Sequence, residues 1–245
     1  MNDICHTSNL LNTILFADDT TVFYSHKNVS ELCNTLNNEL KEVCNWFKAN
    51  KLSLNANKTN LMFLGTRMQT ININDDNHAI YLDGCKLNRV RDAKFLGITI
   101  DENMTWKKQI DNVCKSCSRN IGVLNKVKLF LPKATMYQLY CSLVQPYLNY
   151  GLLLWGNANK AYMNKIFRMQ KRALRTISNS PYMCPTKPLF KKYNVLNMFD
   201  MYKKEVAVFM YKYKNGMLPL SFDGLLTIQR ENHNYNTRNK DDFNI

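Results

Sequence analysis

NTILFADDTTVFY, residues 12–24, is the stretch that decides the fold of the first part of the chain. Its two arms, 14–16 and 20–24, are rich in apolar, aromatic and β-branched residues, and the short segment 17–19 separates them. Arms of this composition around a short polar turn are typical of a β-hairpin. The sequence therefore predicts a hairpin with two adjacent carboxylates at its tip.

The adjacent carboxylates of Asp18 and Asp19 allow two interpretations. Aspartate tolerates the backbone angles of turns, so a turn alone explains the pair. Alternatively, a divalent cation relieves the repulsion between them, because Mg²⁺ prefers hard oxygen ligands and keeps positions open for phosphate. The apolar flanks Leu15-Phe16 and Val22-Phe23 favour a metal site, because a site that holds acids under a polyanion needs rigid support.

A helical pattern follows the hairpin. Its apolar residues recur every three or four positions and are Leu32, Leu36, Leu40, Val43, Trp46 and Phe47. This spacing predicts an amphipathic helix that begins at a Ser30-Glu31 cap and ends near Asn50. Short extended pieces are expected at 52–54 and 60–65, around a turn at 55–58.

Two further extended stretches, 80–84 and 93–100, are predicted to pair with each other as strands. After Asp101 the apolar spacing is helical almost throughout. The expected features of this part are a helix within 106–127, a helix start at Pro132, and interruptions at Pro146 and Gly151.

The next helical segment, 161–177, has an apolar face and a basic face. The apolar positions are Tyr162, Ile166, Met169, Ala173 and Ile177, and the basic ones are Lys165, Arg168, Arg172 and Arg175. Each basic side chain could meet a phosphate, which predicts salt-dependent nucleic-acid binding with little sequence preference. Nearby aromatic residues either stack on bases or pack in the core, and these are Tyr162, Phe167, Tyr182 and Trp155.

Composition limits the class of protein. The 245 residues include 45% hydrophobic residues with 8 Gly and 6 Pro, which excludes low-complexity disorder and collagen. Lysine and arginine total 33 against 19 acidic residues, and this formal charge of +14 favours nucleic acid or an acidic membrane surface as partner. A solvated basic surface is the alternative. The longest apolar stretch, 139–155, is interrupted by polar residues, so no membrane-spanning helix is predicted.

The eight cysteines are expected to be reduced intracellular thiols, because a polar run follows Met1 and no secretory leader is recognisable. Cys114 and Cys117 form the only CxxC pair in the sequence. Without a second pair or clustered histidines, this pair predicts two small residues on a helix rather than a zinc site.

The motif Phe16-Ala17-Asp18-Asp19 resembles the aromatic-x-Asp-Asp motif of reverse transcriptases, in the FADD form of non-long-terminal-repeat (LINE-type, jockey-like) retrotransposons. Later segments are similar to the family in the same order. They are Leu52-Ser53-Leu54-Asn55 with Lys58-Thr59, Lys94–Ile98 with Asp101 and Trp106, Tyr150-Gly151 with Leu154-Trp155-Gly156, Gln170–Arg175, and Asn234–Asn239. The resemblance therefore spans nearly the whole chain.

The resemblance implies an α+β fold in which residues 1–100 are the C-terminal part of a polymerase palm, made of β-hairpins and a helix. It implies a mainly α-helical thumb-like region over 101–228, and a polar tail remains at 229–245. The palm would be incomplete, with unpaired strand edges that invite aggregation or a requirement for the missing half.

The activity implied is RNA-directed DNA synthesis with two Mg²⁺ (or Mn²⁺) ions as cofactor. Asp18 and Asp19 would be the catalytic metal ligands, with Asp18 the stronger one. Lys58 matches a lysine proposed to protonate the pyrophosphate, and a surface lysine in a turn is the alternative. Phe95-Leu96-Gly97 would contact the primer, and simple hairpin packing is the alternative.

Three features of the family are missing from this sequence: an earlier metal-binding palm aspartate, the fingers, and a Pro-Gln-Gly nucleotide-pocket motif. We therefore expect the C-terminal half of a polymerase that is inactive alone. Its partners would be an RNA template, a DNA primer and the missing N-terminal half, with no membrane, and its location would be intracellular and nuclear. The alternatives are a non-catalytic basic nucleic-acid-binding remnant and a purely structural interaction protein.

Overall fold

A computed structural model describes residues 2–56, 58–67, 73 and 77–226. The chain divides into two compact units, Met1–Asn112 and Val113–Ile245. Every strand of the described part belongs to the first unit, and the described part of the second is helical. The prediction of a mixed α+β chain with its strands first is confirmed. The polar tail 229–245 lies outside the described residues.

The predicted hairpin is present. Strand β1 (Asn12–Phe16) pairs antiparallel with β2 (Asp19–Phe23), after a short 3-10 helix at Asn2–His6. Phe16 is the partner of Asp19, so the turn has only two residues, Ala17 and Asp18. Asp19 thus lies in the strand rather than in the turn.

Helix α1 (Val29–Ala49) follows, and its predicted cap at Ser30 is wrong. The side chain of Asn28 accepts hydrogen bonds from the backbone N–H of Ser30 at 2.9 Å and of Glu31 at 3.4 Å. Asparagine caps helices as well as serine does, and here it precedes the serine by two residues. The predicted end near Asn50 is confirmed.

The remaining strands of the described ranges form three two-stranded sheets. The pairs are β3 (Asn60–Leu61) parallel to β6 (Asn88–Arg89), β4 (Tyr81–Leu82) with β5 (Cys85–Lys86), and β7 (Asp92–Phe95) with β8 (Ile98–Asp101). The predicted pairing of 80–84 with 93–100 is therefore wrong, because each stretch forms a hairpin of its own. The expected extended piece at 52–54 is not a strand, and only Asn60–Leu61 of 60–65 is one.

Two apolar clusters are found among the described residues of the first unit. The first lies between α1 and β4, and its buried members are Cys33, Leu40, Cys44, Phe63, Ile80, Leu82 and Leu87. The second lies under the β1–β2 hairpin, and its buried members are Ile4, Leu11, Val43 and Phe47. Because α1 supplies residues to both clusters, it is the element that supports the hairpin.

The following helices are α2 (Lys107–Val127), α3 (Lys133–Leu143), α4 (Gln145–Asn149), α5 (Leu152–Trp155), α6 (Lys160–Ser178), α7 (Lys187–Lys192) and α8 (Met198–Lys214), with a 3-10 turn at Leu220–Phe222. The helix start at Pro132 and the interruptions at Pro146 and Gly151 are confirmed. Gly151 has a φ of +64°, which glycine adopts without strain. Fully buried side chains of the second unit include Tyr140, Leu148, Trp155, Ile166 and Leu174.

Helix α6 confirms the amphipathic prediction with one correction. Its buried residues include Met163, Ile166, Gln170, Ala173, Leu174 and Ile177. The expected core residues Tyr162 and Met169 are only half-buried. The apolar face is therefore wider and rotated by about one position, since Met163 and Leu174 extend it on one side.

Candidate functional site

The core-facing side of the β1–β2 hairpin anchors it. Cross-strand pairing places Thr13 opposite Val22 and Leu15 opposite Thr20. Leu15 and Val22 are half-buried and pack against the cluster that contains Phe47. The hairpin is thus fixed to α1 through one face.

The opposite face of the hairpin is open. Phe16 is 62% exposed and pairs with Asp19, and Ile14 and Phe23 are exposed on the same face by strand alternation. The turn residue Ala17 has a φ of +53°, a left-handed angle at which a residue with Cβ is strained. Asp18 follows it and is exposed. The hairpin therefore presents both aspartates to solvent beside an uncovered apolar surface.

Asp18 and Asp19 fit a divalent cation by the chemistry of their oxygens. Within the described ranges, neither carboxylate is committed to a hydrogen bond or an ion pair. No group of three or more His, Cys, Asp or Glu side chains that could hold a metal is found in the described part of the chain. Two carboxylates still suit Mg²⁺ or Mn²⁺, because Mg²⁺ is commonly held by one or two carboxylates together with water and substrate phosphates.

Lys58 lies in a turn and is exposed. Its backbone N–H donates to the carbonyl oxygen of Asn55 at 3.0 Å. Among the described residues, no hydrogen bond or ion pair connects Lys58 to Asp18 or Asp19. The structure therefore shows an accessible ammonium group without bringing it into contact with the aspartates.

Phe95, Leu96 and Gly97 form the end of the β7–β8 hairpin, which is a separate sheet from β1–β2. Phe95 pairs with Ile98 across a two-residue turn, and both turn residues have positive φ, +44° at Leu96 and +84° at Gly97. Phe95 is half-buried, whereas Leu96 is 40% exposed. Packing in the hairpin therefore explains the buried part of the Phe95 side chain, whereas Leu96 is exposed at the tip of the hairpin.

The four predicted phosphate contacts on α6 are not equivalent. Arg168 and Arg172 are exposed, whereas Lys165 and Arg175 are half-buried. The Lys165 ammonium lies 5.5 Å from the centre of the Tyr162 ring. Arg175 Nε donates to the carbonyl oxygen of Cys184 at 2.9 Å. The first two are thus the accessible cations of this face.

The aromatic residues near α6 divide into packed and exposed ones. Trp155 is 0% exposed, and Phe167 lies between the rings of Phe190 and Phe199, with centroids 6.0 and 5.5 Å away. Tyr182, in contrast, is 79% exposed. Of the alternatives left open by the sequence, packing holds for Trp155 and Phe167.

Two features were missed by the sequence analysis. Lys171 lies 4.0 Å from the centre of the Phe167 ring, and its spacing of four residues on one helix could have indicated the contact. In the first unit, Lys48 Nζ lies 2.5 Å from Asp83 Oδ1, beside a cavity of about 440 Å³ between α1 and the β4–β5 hairpin. The hydrogen bond to Asp83 raises the pKa of Lys48. Lys48 and Asp83 are 35 positions apart, so no local sequence pattern could have predicted their contact.

The cysteines of the chain are free thiols, as expected for reduced cysteines. Cys114 and Cys117 both lie on α2, and Cys117 is buried. Burial raises the pKa of Cys117 to about 12, so this thiol stays protonated and unreactive at neutral pH.

Residues 1–100, which contain the β1–β2 hairpin, are similar in sequence to known proteins. Residues 1–100 match the family model described as reverse transcriptase (RNA-dependent DNA polymerase). Among curated proteins, the chain is 29% identical over 172 residues to a probable RNA-directed DNA polymerase from transposon BS of Drosophila melanogaster, covering 68% of this chain and 18% of that protein.

Two further relatives are RNA-directed DNA polymerases from the mobile element jockey. The chain is 26% identical to that of Drosophila melanogaster, over 76% of this chain and 20% of that protein. It is 25% identical to that of Drosophila funebris, over 71% and 19%. The chain thus spans about a fifth of the length of these relatives, and the aligned stretches extend past residue 100 into the helical part.

No solved structure matches the chain significantly. None of the helices in the described ranges is both long and apolar enough to cross a membrane.

Proposed function

We propose that this chain is the C-terminal palm segment and thumb of a jockey-like RNA-directed DNA polymerase, with Asp18 and Asp19 as ligands of its catalytic metal ions. One observation carries the proposal. Within the stretch that matches reverse transcriptases, the β1–β2 hairpin presents two adjacent, exposed carboxylates on an anchored support. The packing of Leu15 and Val22 supplies the rigid support that metal-binding side chains need.

The proposed reaction is nucleotidyl transfer. The primer 3′ oxygen loses its proton and bonds to the α-phosphorus of a nucleotide, and the bond from that phosphorus to pyrophosphate breaks. Bound Mg²⁺ or Mn²⁺ would activate the hydroxyl and stabilise charge on the phosphate oxygens. Asp18, at the tip of the hairpin, would be the stronger metal ligand. Asp19, at the start of β2, would be the weaker one.

Two other regions have proposed roles in the same reaction. Lys58 would donate a proton to the departing pyrophosphate, a role that its exposed ammonium group allows. The turn at Leu96-Gly97 would lie against the primer strand, and the exposure of Leu96 is compatible with that contact.

We further propose that these 245 residues do not polymerise DNA alone. The family that the chain resembles has a further metal-binding aspartate that this sequence lacks, and removing one member of a catalytic unit costs several orders of magnitude in rate. The partners proposed are an RNA template, a DNA primer and an upstream polymerase segment, and the site of action is the nucleus. The uncovered face of Ile14, Phe16 and Phe23 is a surface that an upstream segment could cover.

Metal-directed cleavage tests the proposal on the chain itself. Fe²⁺ replaces Mg²⁺ at carboxylate sites, and with ascorbate and peroxide it generates radicals that cut the nearby backbone. Cleavage mapped by mass spectrometry should fall within residues 16–20 and should decrease when Mg²⁺ is added in excess. Asp18→Asn and Asp19→Asn should each remove most of it.

Asp92→Asn is the matched control, because Asp92 is a half-exposed carboxylate on another hairpin, 3.7 Å from the ammonium of Lys108. This variant should be cut at 16–20 as the wild type is. Cleavage that ignores Mg²⁺, or that persists in both Asp18→Asn and Asp19→Asn, would show that the pair is only a turn.

A second candidate function is nucleic-acid binding by the basic face of α6, and the exposure of Arg168 and Arg172 favours it. Each phosphate contact with a single strand adds about 0.7 to the slope of log affinity against log salt concentration. The affinity of the chain for an oligonucleotide, measured by fluorescence anisotropy at several salt concentrations, should therefore fall steeply. Binding that is absent or independent of salt would contradict this function.

A further inference from the structure

The second unit contains a long stretch without acidic residues. Between 113 and 199 the sequence has fourteen lysines and arginines and no aspartate or glutamate. The whole chain has a formal net charge of +14, so this stretch accounts for all of it. A stretch of one sign raises the positive potential around it and so attracts a polyanion.

A tight turn follows the C-terminal end of α6. The helix ends at Asn179, which has a φ of +51°, and the backbone N–H of Ser180 donates to the carbonyl oxygen of Arg175 at 2.9 Å. The next turn, Pro181 to Cys184, closes with a hydrogen bond from Cys184 N–H to the Pro181 carbonyl oxygen at 3.0 Å.

The two central residues of this turn point into solvent. Tyr182 is 79% exposed and Met183 is 83% exposed, although both side chains are large and apolar. A tyrosine that served stability would bury most of its ring. The ring of Tyr182 is therefore available to a ligand.

Arg175 holds the turn from the helix. Its Nε donates to the Cys184 carbonyl oxygen at 2.9 Å, and its guanidinium carbon lies 5.9 Å from the centre of the Tyr182 ring. One arginine thus binds the end of the turn and contacts the ring that the turn displays. A guanidinium within about 6 Å of a ring centre attracts the ring, so Arg175 favours the displayed position of Tyr182.

Arg168, Arg172 and Arg175 lie on the same face of α6 by helical periodicity. Arg168 and Arg172 are about 6 Å apart along the helix axis, and Arg175 lies about 4.5 Å further towards the turn. The two exposed guanidinium groups and Arg175, which lies next to Tyr182, therefore form a row along one face of the helix. Phosphates fit the guanidinium groups, and a planar base fits the exposed ring.

We propose that Tyr182 is a stacking platform for an unpaired base of single-stranded nucleic acid whose phosphates contact Arg168 and Arg172. This inference rests on the proposed nucleic-acid binding by α6 and specifies its ligand. A base must be free of its partner strand to stack on a protein ring, so single strands bind better than duplexes. Arg175 is a positioning residue, because it acts through the turn and the ring.

Equilibrium binding of fluorescein-labelled oligonucleotides to the full chain tests the proposal. Tyr182→Leu, which removes the ring but keeps an apolar side chain, should weaken single-strand binding roughly tenfold. Tyr182→Phe, which keeps the ring, should restore most of the affinity. Tyr211→Leu is the matched control, because Tyr211 is 62% exposed on α8, and it should bind like the wild type.

The salt dependence separates stacking from charge. Tyr182→Leu should leave the slope of log affinity against log salt concentration unchanged, whereas Arg168→Ala and Arg172→Ala should each reduce it by about 0.7. Duplex binding should be insensitive to Tyr182→Leu. Since Tyr182 is exposed, each variant should keep the wild-type melting temperature.

The stacking proposal would be overturned if Tyr182→Leu bound single strands as tightly as the wild type, or if it lost equal affinity for single strands and duplexes. In either case, reduced slopes in the arginine variants would still support α6 as a phosphate-binding face. Unchanged slopes in the arginine variants would overturn both. Anionic phospholipid vesicles that bind the chain as tightly as the oligonucleotide and compete with it would overturn the assignment of single-stranded nucleic acid as the ligand.

Discussion

The buried ring of Tyr140 makes the second unit sensitive to alkali. Its side chain is 0% exposed, and burial raises its pKa to about 12, with Gln170 acting in the opposite direction. An unfolded tyrosine has a pKa near 10, so the folded chain keeps the proton over a pH range in which the unfolded chain loses it. The stabilisation is complete below about pH 10 and is lost as the pH rises to about 12.

Tyr140→Phe should therefore remove a pH dependence of about 2–3 kcal/mol in the free energy of unfolding between pH 10 and 12. Urea denaturation at several pH values, read by circular dichroism, measures it. Tyr211→Phe, at an exposed tyrosine, is the control and should keep the wild-type profile. A Tyr140→Phe profile parallel to that of the wild type would show that the hydroxyl is not held protonated.

At the residue scale, the sequence predicts some candidate site residues but not the atoms that these residues contact in the fold. Asp18 and Asp19 are adjacent in the chain, so a local pattern was sufficient to place them on one hairpin, although Asp19 lies in β2 and only Asp18 in the turn. The difference between Arg172 and Arg175 was not predictable, because it depends on a carbonyl oxygen nine residues beyond Arg175. Helical periodicity predicts which basic side chains share a face, but it does not predict which of them are already hydrogen-bonded within the protein.

Two hairpins of the first unit have turns with two positive φ angles and different sequences. Asp83-Gly84 and Leu96-Gly97 each connect paired strands, with φ values of +50° and +77°, and of +44° and +84°. Positive angles at both positions define a type I′ turn, which favours Asn or Asp at the first position and glycine at the second. Leucine is therefore strained at position 96, and strain of this kind persists at functional sites.

Leu96→Asn should consequently stabilise the chain by about 0.5–1 kcal/mol and raise the melting temperature by about 2–4 °C. The same variant should weaken binding to a primer–template, if the exposed leucine contacts the primer. Differential scanning fluorimetry and anisotropy measure the two effects. Gly97→Ala is the opposing control and should destabilise. A Leu96→Asn variant that melts below the wild type would contradict the turn assignment.

Close packing at the end of α5 requires Gly156. A Cβ atom there would lie 2.5 Å from the carbonyl oxygen of Leu152 and would overlap the ring of Tyr202 on α8. Gly156→Ala should therefore destabilise the chain by about 1–3 kcal/mol, since the backbone must move. Gly122→Ala is the control, because a Cβ at that position meets nothing within 4 Å. Equal unfolding midpoints for the two variants in urea would contradict the close approach.

The elements themselves were largely predictable, whereas their pairing was not. Local signals, namely caps and prolines, predict the end of α1 near Asn50 and the start of α3 at Pro132. The pairing of 80–84 with 93–100 failed because glycine at positions 84 and 97 lets each stretch fold back on itself. Apolar composition predicts a strand without naming its partner.

At the scale of the whole molecule, charge and chemistry are segregated along the chain. The candidate metal ligands lie in the strand-containing unit, and the acid-free stretch lies in the helical unit. The net charge predicted a polyanionic partner. The concentration of positive charge in residues 113–199 can be seen in the sequence, whereas the exposure of Tyr182 is visible only in the structure.

Primer extension tests the central claim most directly. The full chain replaces the matching stretch of a jockey polymerase, and DNA synthesis on an RNA template is measured with Mg²⁺ for this chimera, its Asp18→Asn variant and the 245-residue chain alone. The account predicts synthesis by the chimera, a loss of several orders of magnitude in Asp18→Asn, and none by the chain alone. Asp92→Asn should extend primers like the unmodified chimera. Synthesis that survives Asp18→Asn, or a chimera that binds primer–template as jockey does but makes no DNA, would contradict the account.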